Sequence, residues 1–437
     1  MYPFRLVIVA VSIFLMCCSA QRAFAIDNGV VKTDFPDAAV LGMGTADTGD
    51  ANRPSAVDFN PAGITQIVGP SISAGLTFLQ PDIKYTSSSG NSVNMNKDNY
   101  FFPNVYVTMP IIKDKLFVGI GENSDYGAGN DWASNSPANF TRYSTTSDSF
   151  VNQDYMIVGA YKINDQWSIG VGAIDDQSKF EHSEQVNQTP DGSILYKADD
   201  NAWGFTVAAL FKLNDMNQFG IDYKSPIEHR YDGTLYMNGL NPGSLGSPPF
   251  FNGTSFSTEA IQKFTLPQSV TLGYTLKPTS KWKINFDLGW TDWSQYKQQT
   301  VYYPNVTNGN QLFALGLNNP QPRDWTSVWS EALGAEYSVT DKFRVRAGYS
   351  HHQTPIPGIN FDTEFPDSDS NAYSGGFGYD ITKNLTLDVA YAGVFYVSRS
   401  IVNSVGSAFA AIGEPYTMSG KYQEFVSIGE VTLTYKF

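Results

Sequence analysis

The stretch Leu385-Thr386-Leu387-Asp388-Val389-Ala390-Tyr391-Ala392-Gly393-Val394-Phe395 decides the fold. In an extended chain Leu385, Leu387, Val389, Tyr391, Gly393 and Phe395 share one face. Thr386, Asp388, Ala390, Ala392 and Val394 share the other. Period two sustained this long, with a carboxylate inside it, is a strand with one apolar and one polar surface. The pattern recurs. Trp282, Ile284, Phe286, Leu288 and Trp290 oppose Lys283, Asn285, Asp287 and Thr291, and Phe343, Val345, Ala347 and Tyr349 oppose Arg344, Arg346 and Ser350. At the C-terminus Phe425, Val431, Leu433, Tyr435 and Phe437 oppose Glu430, Thr432, Thr434 and Lys436.

Between such segments lie short polar turns: Lys113-Asp114-Lys115, Asn164-Asp165-Gln166, Asn214-Asp215-Met216-Asn217, Pro278-Thr279-Ser280-Lys281, Thr340-Asp341-Lys342 and Thr382-Lys383-Asn384. Their Asn, Asp and Pro residues suit tight backbone. They alternate strictly with longer loops, roughly 81–98, 124–149, 186–200, 238–255, 298–325, 353–369 and 399–420, so six turns and seven loops join 14 expected strands. A soluble sandwich has no reason to gather its short turns at one end. An outer-membrane barrel does, with its apolar face toward lipid and its polar face toward the lumen. Trp167, Trp203, Trp282, Trp290, Trp329 and Tyr435 stand near strand ends, as interfacial girdles require. The fold expected is all-β, a 14-stranded antiparallel transmembrane β-barrel. Glu331 is a misfit, since it shares parity with Leu333 and Tyr337; an outer-rim position or a bulge would accommodate it.

Composition agrees. Of 437 residues 42% are apolar and 14% aromatic, which is too apolar for disorder. A net charge of −14 without a basic cluster argues against nucleic acid as a partner. Past residue 25 no apolar run approaches the ~20 residues of a spanning helix.

Residues 1–25 read as a signal peptide: Arg5 in the n-region, an apolar core from Leu6 to Met16, and Ala23-Phe24-Ala25 as the cleavage site. The mature chain would begin at Ile26 with a net charge of −16, both Arg5 and Arg22 having left. Cys17 and Cys18 lie in the signal, so the mature chain has no disulfide framework. Lipidation is disfavoured because Met16 is large for the residue before a lipidated cysteine. Residues 26–69 show no sustained alternation, and residues 70–437 carry the strands.

Asp58-Phe59-Asn60-Pro61-Ala62-Gly63-Ile64, followed by a strand from Ser71 to Leu79, resembles the FadL family of outer-membrane long-chain fatty acid transporters and their hydrocarbon-transporting relatives such as TodX. Leu41-Gly42-Met43-Gly44-Thr45-Ala46 is similar to the Gly-rich stretch before that motif, and Trp290-Thr291-Asp292-Trp293-Ser294 resembles a later signature. The resemblance implies that residues 26–69 form an N-terminal hatch whose motif is Asn60, Pro61, Ala62 and Gly63. It implies passive uptake of a hydrophobic small molecule in the outer membrane of a Gram-negative cell, amid lipid and lipopolysaccharide. Extracellular loops would capture the ligand, a lumen pocket would hold it, and it would leave sideways at a kink in the third strand. Long-chain fatty acid is the leading ligand; aromatic or alkane hydrocarbon is the alternative. A general diffusion porin is a rival reading, and a secreted soluble sandwich a more distant one.

Site residues follow. The third strand, from Leu116 to about Asn123, runs into Asp125-Tyr126-Gly127-Ala128-Gly129, where Gly127 and Gly129 would permit the kink. The loops are apolar: Pro248, Pro249, Phe250 and Phe251 in one, Leu312, Phe313, Leu315 and Leu317 in another, Val402, Val405, Phe409 and Ile412 in the last. Such clusters either bind ligand or pack together over the barrel mouth. Lys179 and Arg323 are candidate partners for a carboxylate, against the plainer reading of lumen ion pairs; Arg344 and Arg346 should face the lumen. Asn60 can bond its own backbone and Pro61 fixes the next φ, which would give a rigid corner near strand three. Nothing calls for catalysis, cofactor or metal. Of the four histidines, His182, His229, His351 and His352, the last two are adjacent on a strand and point apart.

Overall fold

Fourteen antiparallel strands close on themselves in a computed structural model, which describes residues 31–32, 35–132, 141–243, 250–316, 319–403 and 418–437. The proposed signal peptide and the loop residues Pro248, Pro249, Leu317, Val405, Phe409 and Ile412 lie outside the described residues. The strands are β1 (Ser71–Ser87), β2 (Tyr100–Ile112), β3 (Leu116–Asn123, continued by Tyr126–Asp131), β4 (Ser147–Lys162), β5 (Trp167–Val186), β6 (Gly192–Lys212) and β7 (Asn217–Lys224, continued by Ile227–Asn238). They continue with β8 (Ser255–Leu266 and Ser269–Leu276), β9 (Trp282–Thr291), β10 (Val328–Ser338), β11 (Phe343–His352), β12 (Ser370–Asp380), β13 (Leu385–Tyr396) and β14 (Gly420–Lys436). Each pairs with the next, and β14 returns to β1 in register from Ser71↔Lys436 to Ser87↔Gly420.

The faces are inverted relative to a water-soluble protein. Val171, Phe205, Leu272, Leu333, Tyr391, Val431 and Leu433 are exposed, while Thr206, Asn285, Asp287, Glu430 and Thr432 are buried. Only a surface meant for hydrocarbon puts its aliphatic residues outward on strand after strand. Trp167, Trp203, Trp282, Trp329 and Tyr435 are exposed on that outer surface. Glu331 is outward too. It lies two cross-strand pairs below Trp290↔Trp329, opposite Leu288, in a ladder without a register shift, so the rim position holds and the bulge does not.

All six expected turns are present. The expected loop 186–200 is far shorter, because β5 and β6 run for 20 and 21 residues. A tilted strand spans a bilayer in ~9–11 residues, so this pair continues beyond the lipid, each strand supplying the other's ladder partners.

Residues 35–69 lie against the inward-facing residues of the wall. They form two short helices, α1 (Ala38–Leu41) and α2 (Ala56–Phe59), and a 3-10 turn over Pro61–Gln66. Asp37 caps α1, its carboxylate accepting from the amides of Ala39 and Val40 at 2.8 and 2.9 Å. Polar contacts dock the segment. The amides of Asp47 and Thr48 donate to Asp287 Oδ2 at 3.1 and 2.8 Å, and Asn285 Nδ2 donates to the Ala46 carbonyl at 2.9 Å. Asp50 meets Lys277 at 2.7 Å and Lys283 at 2.9 Å.

Candidate functional site

β3 breaks at Ser124–Asp125. Below the break it pairs with β2 as far as Val105↔Glu122. Above it, Tyr126–Asp131 pairs with β4, and its other edge carries Val31–Lys32 in the register Val31↔Gly127. Among the described residues, Tyr100–Asn104 of β2 have β1 alone as ladder partner. The wall therefore parts between β2 and the upper arm of β3. Gly127 and Gly129 lie in that upper arm, paired to Val151 and Ser149, and neither has a positive φ. The bend sits before them, where the Asp125 amide turns to Asp154 Oδ2 at 3.3 Å. This corrects the expectation that the two glycines make the kink.

A buried lysine ties the break to the N-terminal segment. Lys224, at the end of the lower arm of β7, donates to Asp58 and to Asp125. Asn123 Nδ2 lies 3.1 Å from an oxygen of each. The Asn60 side chain does not bond its own backbone as expected; its Nδ2 donates to the Thr48 carbonyl at 2.8 Å. Ala62 packs on Ala208 and Leu210 of β6. A Cβ on Gly63 would meet Ala51 of the same segment rather than the wall. It is Val57 of α2 that meets β3, against Gly119 and Gly121.

Above this junction is an aromatic chamber. Phe150, Phe180, Tyr231, Gln262, Phe264 and Phe365 line a narrow gap with about 10 Å³ of free space. Phe264 meets Trp293 at 6.3 Å between ring centroids, and Trp293 meets Tyr126 of β3 edge-on at 6.0 Å. Aromatic surface thus runs from the chamber to the break. The Trp290–Ser294 signature makes the corner that delivers Trp293. Asp292 accepts from Ser294 Oγ at 2.5 Å, Ser327 Oγ at 2.8 Å and Gln268 Nε2 at 3.1 Å. The Ser294 hydroxyl foremost, with help from Gln268 and Ser327 and against burial, holds the Asp292 carboxyl down at about 2.

The two candidate cations part company. Lys179 is exposed on the outer face of β5, away from the chamber. Arg323 is buried beside it, with Asp362 at 2.6 Å, Glu364 and the Gln299 side-chain oxygen on its guanidinium and the Phe365 ring 5.3 Å away. The plainer ion-pair reading describes Arg323. Arg346 does face inward, between Glu336 and Asp388, each at 2.6 Å. In the loops, Phe251 and Leu315 are buried, whereas Leu312 and Phe313 on helix α3 (Gly309–Gly316) are exposed, and half-buried Phe250 meets Phe313 at 6.0 Å. One set closes the mouth and the other is presented outward.

The family model described as "Outer membrane protein transport protein (OMPP1/FadL/TodX)" matches residues 31–437. The chain belongs to the FadL/TodX family. It is an outer-membrane protein. Among its relatives, the long-chain fatty acid transport protein of Shigella flexneri is 26% identical over 397 residues, covering 82% of this chain and 85% of its own. In fold the chain resembles a FadL homologue of Pseudomonas aeruginosa, with a TM-score of 0.79 at 21% identity over 94% of this chain and all of that one. It also resembles the toluene transporter TodX of Pseudomonas putida, with a TM-score of 0.69 at 16% identity over 92% and 98%. Asn60-Pro61-Ala62-Gly63 lies at the foot of the wall, and Lys224 joins the neighbouring Asp58 to Asp125 of β3.

Proposed function

We propose that this FadL-family chain takes up hydrophobic compounds passively, with residues 26–69 as a hatch and the parting of β2 from upper β3 as the exit. The observation that carries this reading is the run of aromatic ring contacts from the chamber, through Phe264 and Trp293, to Tyr126 at the break. Exposed Leu312 and Phe313 would collect the ligand. Sideways exit spares it rehydration, at ~0.8 kcal/mol per methylene.

Long-chain fatty acid is the leading ligand class, on the likeness to the fatty acid transport proteins over most of both chains. A neutral aromatic hydrocarbon is the second reading, and Arg323 favours it: with Asp362 and Glu364 already on the guanidinium, a fatty acid carboxylate would have to displace one of them. Binding to the detergent-purified chain separates the two. If fatty acid is the ligand, oleate binds, toluene fails to displace it, and Arg323→Gln weakens it about tenfold or more. Toluene binding with no oleate binding selects the neutral reading. Binding of neither overturns the proposed function.

A further inference from the structure

On the extracellular side of the chamber is a cluster that uptake of an apolar molecule does not require. Asp148 of β4 and His182 of β5 face one another in the ladder. Glu364 enters from the segment 353–369, which folds into the barrel mouth. All three side chains are buried, and one donor atom of each lies within 4.8 Å of the others. We propose that Asp148, His182 and Glu364 bind a divalent transition-metal ion, with zinc the best match to one imidazole and two carboxylates.

Each ligand is already held by a neighbouring polar side chain. His182 Nδ1 is 2.5 Å from Asp148 Oδ1, and its Nε2 is 3.3 Å from Glu184 Oε2. A metal-bound imidazole takes this form, one nitrogen on the ion and the other N–H given to a carboxylate. The second oxygen of Asp148 accepts from Asn130 Nδ2 at 3.2 Å. Glu364 is oriented by Gln299 Nε2 at 3.1 Å and by Arg323. The ion would take the place of the proton that His182 and Asp148 share.

Charge points the same way. Asp148, Glu184, Asp362 and Glu364 are buried together, and Arg323 and His182 are bonded to them. Burying several carboxylates side by side is costly, and a divalent ion would offset that cost. No cysteine follows Cys18, so no thiolate competes for the metal. The site has a structural consequence for the chamber. Phe150 and Phe180 lie two residues below Asp148 and His182 on the same inward faces, and Phe365 follows Glu364; all three line the gap. An ion here fastens segment 353–369 to the β4–β5 wall and fixes the chamber roof.

The test uses the full chain in detergent, stripped with chelator and titrated with Zn²⁺ by calorimetry, with Co²⁺ absorption reporting the coordination. One ion should bind per chain. Glu184→Gln should weaken binding about 10–100-fold and His182→Ala by more, with heat-modifiable gel mobility unchanged. Absence of stoichiometric Zn²⁺ binding by the unaltered chain overturns the site, as does equal affinity in His182→Ala. Should His182→Ala not assemble, Asp148→Asn decides by the same comparison: weakened binding supports the site and unchanged binding rejects it.

Discussion

Lys224 joins the N-terminal segment to the barrel wall. It reaches Asp58 in the proposed hatch and Asp125 at the break in β3. Lys224→Met would leave both carboxylates buried without their shared cation, a loss of about 3–5 kcal/mol for a broken buried pair. Faster hydrogen exchange in both 56–66 and 124–131 is the expected outcome, and Lys224→Met with Asp125→Asn should recover part of the protection. Exchange that changes in neither segment would show that Lys224 couples nothing. Asp50 gives a pH prediction. Burial alone would raise its carboxyl, yet Lys283 and Lys277 together hold it well below the usual 3.8. A depressed folded pKa means that its docking contribution is present above 3.8 and fades as pH falls below it. At pH 3, after correction for intrinsic rates, the amides of Asp47 and Thr48 should exchange faster relative to the wall than at pH 6. None of these pairings was legible in the sequence, because each joins residues far apart along the chain, as do Asp148, His182 and Glu364. Metal-ligand spacing along the chain does not reveal such a site, because a barrel wall brings ligands together across strands.

Among the elements, the N-terminal segment is the most informative. Its lack of alternation marks it as something other than strand, and its described residues lie against the inner wall. The details of its seating were hidden, since its backbone approaches the wall where the wall has glycine. A Cβ on Gly220 would stand 2.0 Å from the Thr48 carbonyl oxygen, a backbone atom that cannot swing aside. Gly220→Ala should therefore loosen the proposed hatch while leaving the β6–β7–β8 ladders intact. Cells carrying it should admit more of a small hydrophilic antibiotic, with unchanged heat-modifiable mobility on gels. Unchanged entry would mean that this contact does not seat a barrier. β3 shows the opposite limit of sequence reasoning. Gly127 and Gly129 drew attention as kink residues, but the break falls at Ser124–Asp125, where a side-chain carboxylate on β4 replaces the ladder partner.

For the whole molecule, alternation and the strict exchange of short turns with long loops were enough to read closure, strand number and membrane facing. These depend on local period and on counting, and Leu385–Phe395 contains both faces in one strand. Loop structure was less legible. Phe251 and Leu315 turn inward while Leu312 and Phe313 stay outward, a choice made by packing between loops distant in sequence. The strand extensions of β5 and β6 were missed because polar residues continue the ladder beyond the lipid without an apolar period. On the proposed function this barrel passes hydrophobic molecules and excludes hydrophilic ones. That selectivity is tested most directly by initial uptake rates in whole cells lacking their own carrier, expressing either this chain or a version lacking residues 26–68 after the signal. The account predicts that the full chain raises uptake of labelled oleate or toluene and leaves entry of a hydrophilic solute of similar mass at background, and that the truncated barrel, inserted equally well, admits the hydrophilic solute too. A full-length chain that admits the hydrophilic solute and gives no gain with either hydrophobic one would contradict it and identify an open diffusion pore.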